Sequence, residues 1–227
     1  MFPPYHDPFE EETFIIGPYY TQRAVRRSPF YFTEREKHEL MVATAILTLA
    51  FAIAFTGGLR GLIFRWRSFI LYLVVAALAV ITAFALHEIG HKFAAIHFGY
   101  WAEFNYFMPG LFIALLFSLA GFLFAAPGAV VIHGYPTRRE NGIIAAAGPS
   151  VNLALGIFFF SLSSGLNSFA PLAGLLFYFV AAINILIGAF NMIPLPPLDG
   201  SKIIAWSLPV YLGMAVLLAI FLFFIYF

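Results

Sequence analysis

Of the 227 residues, 62% are hydrophobic and only 10% are charged, with a net charge of +1 and a mean hydropathy of +0.91. An ordinary soluble domain is about 45–50% apolar and about 25% charged, so the chain reads as integral to a lipid bilayer. The near-neutral charge, with no basic patch interleaved with exposed aromatics, excludes a nucleic-acid partner; the absence of cysteine excludes disulfides, thiolate metal sites and cysteine nucleophiles.

Residues 1–38 form a polar, aromatic lead without the apolar stretch of a cleaved secretory signal, and the first span is expected to act as its own insertion signal. Thr33-Glu34-Arg35-Glu36 has the spacing of a capping box that opens a helix. The membrane domain is placed at 39–227. Its apolar segments lie at 40–55, closed by Gly57-Gly58, then at 68–98, 109–126, 142–162, 171–193 and 207–227. A short turn bearing Arg60, Arg65, Trp66 and Arg67 joins the first two. Residues 127–141 carry turn signals at Pro127-Gly128, Gly134 and Pro136 and read as a hairpin-like stretch. A spanning helix needs about 20 apolar residues. The fold class is therefore an all-α polytopic membrane protein of five or six transmembrane helices, with a short β-hairpin-like region and no internal repeat.

The chemistry is concentrated in the second segment. Residues 69–86 hold no charge and no histidine, and His87-Glu88-Ile89-Gly90-His91 follows directly. Ionisable groups at membrane depth are costly and mark function. On a helix this spacing stacks His87 and His91 on one face, where the two imidazoles can clasp one zinc ion. Glu88 is turned by about 100° from His87 and is placed as general base rather than ligand.

A catalytic zinc site usually has three protein ligands. His6 and His38 lie in the polar lead, His97 falls on another helix face, and His133 reads as a loop residue. Asp199 is the better candidate. It follows the fifth segment in Asn191-Met192-Ile193-Pro194-Leu195-Pro196-Pro197-Leu198-Asp199-Gly200, where the prolines must break the helix. Irregular backbone at membrane depth is tolerated where protein buries it or where it lines a cavity. At about 1.5 Å per residue, the histidine motif sits toward the exit end of its span, and Asp199 follows the exit end of its own. The two ends meet only if an odd number of crossings separates them. One segment between them should therefore not cross, and 109–126 is expected to re-enter, because it is short, starts at Pro-Gly and ends at Ala-Pro-Gly. On that topology nine of the twelve Lys/Arg residues share a side with the motif: Arg23, Arg26, Arg27, Arg35, Lys37, Lys92, Arg138, Arg139 and Lys202. The positive-inside rule then directs the site to the cytoplasmic side of the cell membrane, against the opposing Arg60, Arg65 and Arg67.

His87 through His91, Ala147-Gly148-Pro149-Ser150-Val151-Asn152, and Asn191 through Gly200 resemble, in this order, the three signature stretches of site-2 proteases, intramembrane zinc metalloproteases that cut transmembrane segments of other proteins. The resemblance covers about residues 68–202, apart from 109–126, which looks like an insertion, and implies a three-helix catalytic core. It implies His87, His91 and Asp199 as ligands of one Zn2+, Glu88 as catalytic acid/base, and Asn152 and Asn191 as groups that engage substrate backbone or the oxyanion. The family's third motif often reads Asp-Gly-Gly; here Ser201 replaces the second glycine. The resemblance further implies a minimal core without a PDZ or nucleotide-sensing domain, acting on transmembrane-helix proteins within the bilayer.

From the residues alone, Asn152 also fits a helix-packing hydrogen bond, Asn191 a helix cap, and Asn184 packing. Other readings are a catalytically inactive relative and a metal-transporting protein with a buried zinc site. Transporters usually spread ligands along a pathway across repeats, whereas here one general base adjoins one closed triad. A prenyl-protein type of membrane protease would need a glutamate as third ligand, and no glutamate follows Glu140. Oligomeric state is not readable from the sequence.

Overall fold

The structure, a computed structural model, describes residues 11–15, 21–25 and 31–226. The expected polar lead is described only in part. Within it, β1 (Glu11–Ile15) and β2 (Thr21–Val25) pair antiparallel, with Glu11 opposite Val25; His6, Arg26 and Arg27 lie outside the described residues. The body of the chain is helical. Five helical runs are long and apolar enough to cross a membrane: Glu34–Thr56, Trp66–His97, Arg138–Leu166, Pro171–Asn191 and Leu208–Tyr226.

The first run is α1 (Glu34–Thr56). Thr33 caps it by accepting from the Glu36 N–H at 3.1 Å, as a capping box requires. The Glu36 carboxylate has another task. It is buried against Lys92 of a later helix and accepts from the Phe104 N–H at 3.1 Å. A positive-φ Gly57 ends α1, and the short α2 (Gly58–Phe64) follows. The second run consists of α3 (Trp66–Val80), a widened π segment (Ile81–Ala85) and α4 (Leu86–His97), which carries the histidines.

The 109–126 segment does not cross. β3 (Trp101–Tyr106) leads into α5 (Met108–Leu119), and the chain returns without regular structure to β4 (Gly128–His133). β4 pairs antiparallel with β3, Trp101 opposite His133 and Tyr106 opposite Gly128. The chain thus leaves at the level where it entered. Gly110 backs onto the Ala126 carbonyl, while Gly121 at the tip lies against Gly57 and Gly58 at the end of α1. A side chain at Gly110 would clash with the Ala126 carbonyl and one at Gly128 with the Asn105 carbonyl, which accounts for the Pro-Gly and Ala-Pro-Gly boundaries. Residues 127–141 form no hairpin of their own; the partner of β4 is β3, on the far side of α5.

α6 (Arg138–Leu166) begins four residues earlier than the apolar pattern indicates. Thr137 and Glu140 form a full capping box, which stabilises a polar first turn outside the apolar run. α7 (Pro171–Asn191), α8 (Asp199–Trp206) and the largely lipid-facing α9 (Leu208–Tyr226) complete the chain. α4, α6 and α7 pack through small residues, as helices in lipid commonly do. Gly90 meets Val151 and Ala147, Gly156 receives Ile185, and Gly188 faces Asn152. Between the histidines of the second run and Asp199, two further runs cross, α6 and α7. The second and fourth runs therefore point the same way, and their exit ends share one level.

Candidate metal centre

His87 and His91 lie one turn apart on α4, with their Nε2 atoms 3.0 Å apart. Asp199, the first residue of α8, brings Oδ2 to 3.3 Å from His87 Nε2 and 3.1 Å from His91 Nε2. The approach is set by Gly200, whose missing side chain lets α8 press against the Met192 and Ile193 carbonyls after the end of α7. All three side chains are buried. Among the described residues, this is the group of His and acidic side chains that could hold a metal ion.

The proton positions show what the cluster fits. A neutral imidazole is a donor at one nitrogen and an acceptor at the other. His91 Nδ1 lies 2.8 Å from the Ile144 carbonyl, which can only accept, so the proton is on Nδ1 and Nε2 carries the lone pair. His87 Nδ1 faces Asn152 Oδ1, with the same result. With both imidazoles neutral, two nitrogen lone pairs and one carboxylate oxygen therefore converge. Such a trio repels itself unless a cation sits among them, and two imidazoles with one carboxylate are zinc donors. Gly148 of α6 completes the cradle. A Cβ there would lie 2.6 Å from His87 Nε2 and closer still to His91 Nε2. The glycine leaves free the space into which the two Nε2 atoms point.

Glu88 turns away from this trio toward the sheet, and its Oε2 accepts from the Val130 N–H of β4 at 3.1 Å. The register explains that contact. Phe104 N–H and Tyr106 N–H point off the sheet to Glu36 and Glu39 of α1, at 3.1 and 3.0 Å. Their partners Val130 and Gly128 must then point their own polar groups off the opposite edge. Gly128, Val130 and Ile132 thus form an edge that faces Glu88.

Asn152 is fully buried and belongs to the cluster. Its amide nitrogen donates to the Ala83 carbonyl at 2.9 Å and to Asn184 Oδ1 at 3.4 Å. Its polar groups are engaged by His87, Ala83 and Asn184. Asn191 is half-buried at the end of α7, and its amide donates back to the Ile187 carbonyl at 3.1 Å. His38, His97 and His133 are exposed and outside the cluster. Sequence reasoning passed over Gly148, whose contribution is an absence, the Val130 N–H, which any residue but proline supplies, and Thr82. The signal for Thr82 was present, since it and Tyr72 are the only side-chain hydroxyls in the uncharged run after Ser68.

The family model described as peptidase family M50 matches residues 167–213. A Methanocaldococcus jannaschii protein named "Putative zinc metalloprotease" is 37% identical over 187 residues, which cover 79% of this chain and 88% of that one. A Bacillus subtilis protein with the same printed description is 30% identical over 61% of this chain and 69% of its own. One from Mycobacterium tuberculosis is 29% identical over 53% of this chain and 52% of its own. No solved structure matches the chain.

Proposed function

The chain belongs to peptidase family M50, the site-2 protease family, and from that premise we propose that it hydrolyses peptide bonds within or beside transmembrane segments of other membrane proteins. The observation that carries this reading is the placing of Glu88 between the His87–His91–Asp199 cluster and the outer edge of β4. A transmembrane helix hides its carbonyls in its own hydrogen bonds, so a substrate must unwind before it can be cut. An unwound stretch needs backbone partners at membrane depth, and the edge at Gly128, Val130 and Ile132 offers by strand addition the groups that Glu88 does not occupy.

In this reading His87, His91 and Asp199 hold one zinc ion, which when bound supplies Lewis acidity beside the scissile carbonyl. Glu88 takes the proton from the attacking water and delivers it to the leaving amine. Asn152 acts by holding His87, and Asn191 lies on the α7 face that leads to Asp199. The catalytic core is 68–202 within a membrane domain of 39–227, behind the 1–38 lead.

The direct test uses the purified chain in proteoliposomes with single-span membrane proteins and a soluble unfolded protein as alternative substrates. Single-span chains should be cut in or near the span, a chelator should stop the cutting, and zinc should restore it. Cleavage that survives thorough removal of zinc, or that prefers the soluble chain, would overturn the reading. The excess of Lys/Arg on the site's side directs it to the cytoplasm. A cysteine placed at Arg60 should then react with an impermeant thiol reagent outside the cell and one at Arg138 should not; the reverse pattern would invert the orientation.

A further inference from the structure

We propose that Thr82, Asn184 and Asn152 form a directional hydrogen-bond relay that decides which nitrogen of His87 faces the metal. The proposal rests on reading His87 as a zinc ligand. It starts from a difference between the two histidines. For His91 a backbone carbonyl settles the tautomer, because Ile144 O can only accept. The partner of His87 is a side-chain amide, which can present either its oxygen or its NH2 group. If Asn152 presented NH2, His87 Nδ1 would have to accept, its proton would move to Nε2, and the lone pair aimed at the cluster would be lost. Something must hold Asn152 in one sense.

The hydrogen bonds trace that sense back to backbone carbonyls, which cannot reverse. The Thr82 hydroxyl donates its one proton to the Leu78 carbonyl at 2.8 Å, shared with Ala79 O at 3.1 Å. Toward Asn184 it can therefore only accept. Asn184 meets two acceptors on one side, Thr82 Oγ1 and the Val180 carbonyl, both at 2.9 Å. That side must be NH2, and Asn184 Oδ1 is turned to Asn152. Asn152 in turn meets two acceptors, Asn184 Oδ1 at 3.4 Å and the Ala83 carbonyl at 2.9 Å. Its NH2 is claimed, and its oxygen faces His87 Nδ1. Asn152 and Asn184 are 0% exposed and Thr82 is 6% exposed, so water does not substitute for a lost member.

The π segment Ile81–Ala85 gives the relay its entry point. π turns inside helices are frequent at functional sites, and here residues 82 and 83 of that turn supply the Thr82 hydroxyl to Asn184 and the Ala83 carbonyl to Asn152. These residues are positioning residues, since none of them touches the metal or the substrate. If they served only to glue three helices together, their loss would change stability and leave the proton on His87 where it was.

The experiment reads that proton directly. Zinc-free protein with 15N-labelled histidine, in detergent micelles at a pH alkaline enough to keep the imidazoles neutral, should show the His87 proton on Nδ1. Asn184→Leu and Thr82→Val leave the Ala83 carbonyl to orient Asn152 with less support and should raise a minor Nε2-protonated form of His87, more in Asn184→Leu, and Thr82→Ser should restore the single tautomer. Zinc affinity should fall by about 10–100-fold in Asn152→Leu, the range expected when the outer partner of a metal-bound histidine is removed. Asn184→Leu and Thr82→Val should fall less, in that order, with Thr82→Ser at the wild-type value. Variants that keep both the wild-type tautomer and the wild-type zinc affinity would overturn the relay, whatever their thermal stability. The nearly isosteric Thr82 pair keeps the test valid if an asparagine variant fails to fold. Neither readout involves proteolysis. Failure of the wild-type chain to bind zinc at all would instead refute the metal reading beneath it.

Discussion

Glu88→Gln is expected to lower peptide hydrolysis by about 10²–10⁴-fold, the usual contribution of a positioned general acid/base, while zinc content stays at one ion per chain. The substitution changes little else. Glutamine keeps an oxygen that can accept from the Val130 N–H, now 3.1 Å from Glu88 Oε2, so the edge of β4 keeps its place. The ligand trio lies on a neighbouring face of α4, about 100° round the helix, and His87 and His91 keep their Nδ1 partners. What is lost is the group that accepts and returns a proton. Turnover on a single-span substrate and metal content measured on one preparation decide the matter. Wild-type turnover would remove Glu88 from the chemistry, and loss of zinc would make it part of the coordination shell instead.

Much of this arrangement is legible in the chain because two of its periodicities are simple. His87 and His91 at i and i+4 must share a helix face, and Glu88 must not. Depth counting along two spans brings Asp199 to the same level and demands a segment that does not cross. The structure has five runs able to span, and α5 turns back at Gly121. What escaped has a common cause, which is dependence on distant partners. Trp101–Tyr106 is short and mixed in character, and its partner β4 lies beyond an apolar helix, so neither strand announces the other. Glu36 has the local spacing of a capping residue, yet a buried ion pair with Lys92 outcompetes that role. The direction of the Asn152 amide is set by Ala83 and Asn184, 69 and 32 residues away. Composition identifies a polar group at membrane depth but does not say which way it points.

Gly148→Ala carries the second large effect, and it comes from a single methyl group. A Cβ at this position would stand 2.6 Å from His87 Nε2 and nearer to His91 Nε2, well inside the closest approach that real Cβ atoms show. Relief would require one of three movements. The rings could swing away, but their Nδ1 atoms are tied to Asn152 and to the Ile144 carbonyl. α6 could retreat from α4, but Gly90 already seats Val151 and Ala147 closely across that interface. The remaining course is for the methyl to occupy the space where the Nε2 lone pairs point, which is where the metal must sit. Loss of bound zinc is therefore expected, together with a fall of about 10²-fold or more in turnover, since displacing catalytic groups by about 1 Å already costs that much. Gly165→Ala, farther along the same helix, is the matched control, because nothing lies within 4 Å of its Cβ. It should bind zinc and cut substrate as the wild type does, and, lying in the last turn of α6, it should leave stability close to that of the wild type. Metal analysis and turnover on the two variants separate the effect of a methyl in the cradle from that of a methyl on the helix. Full zinc occupancy in Gly148→Ala would mean that the cluster relaxes around the methyl, and the glycine would then be explained by helix packing alone.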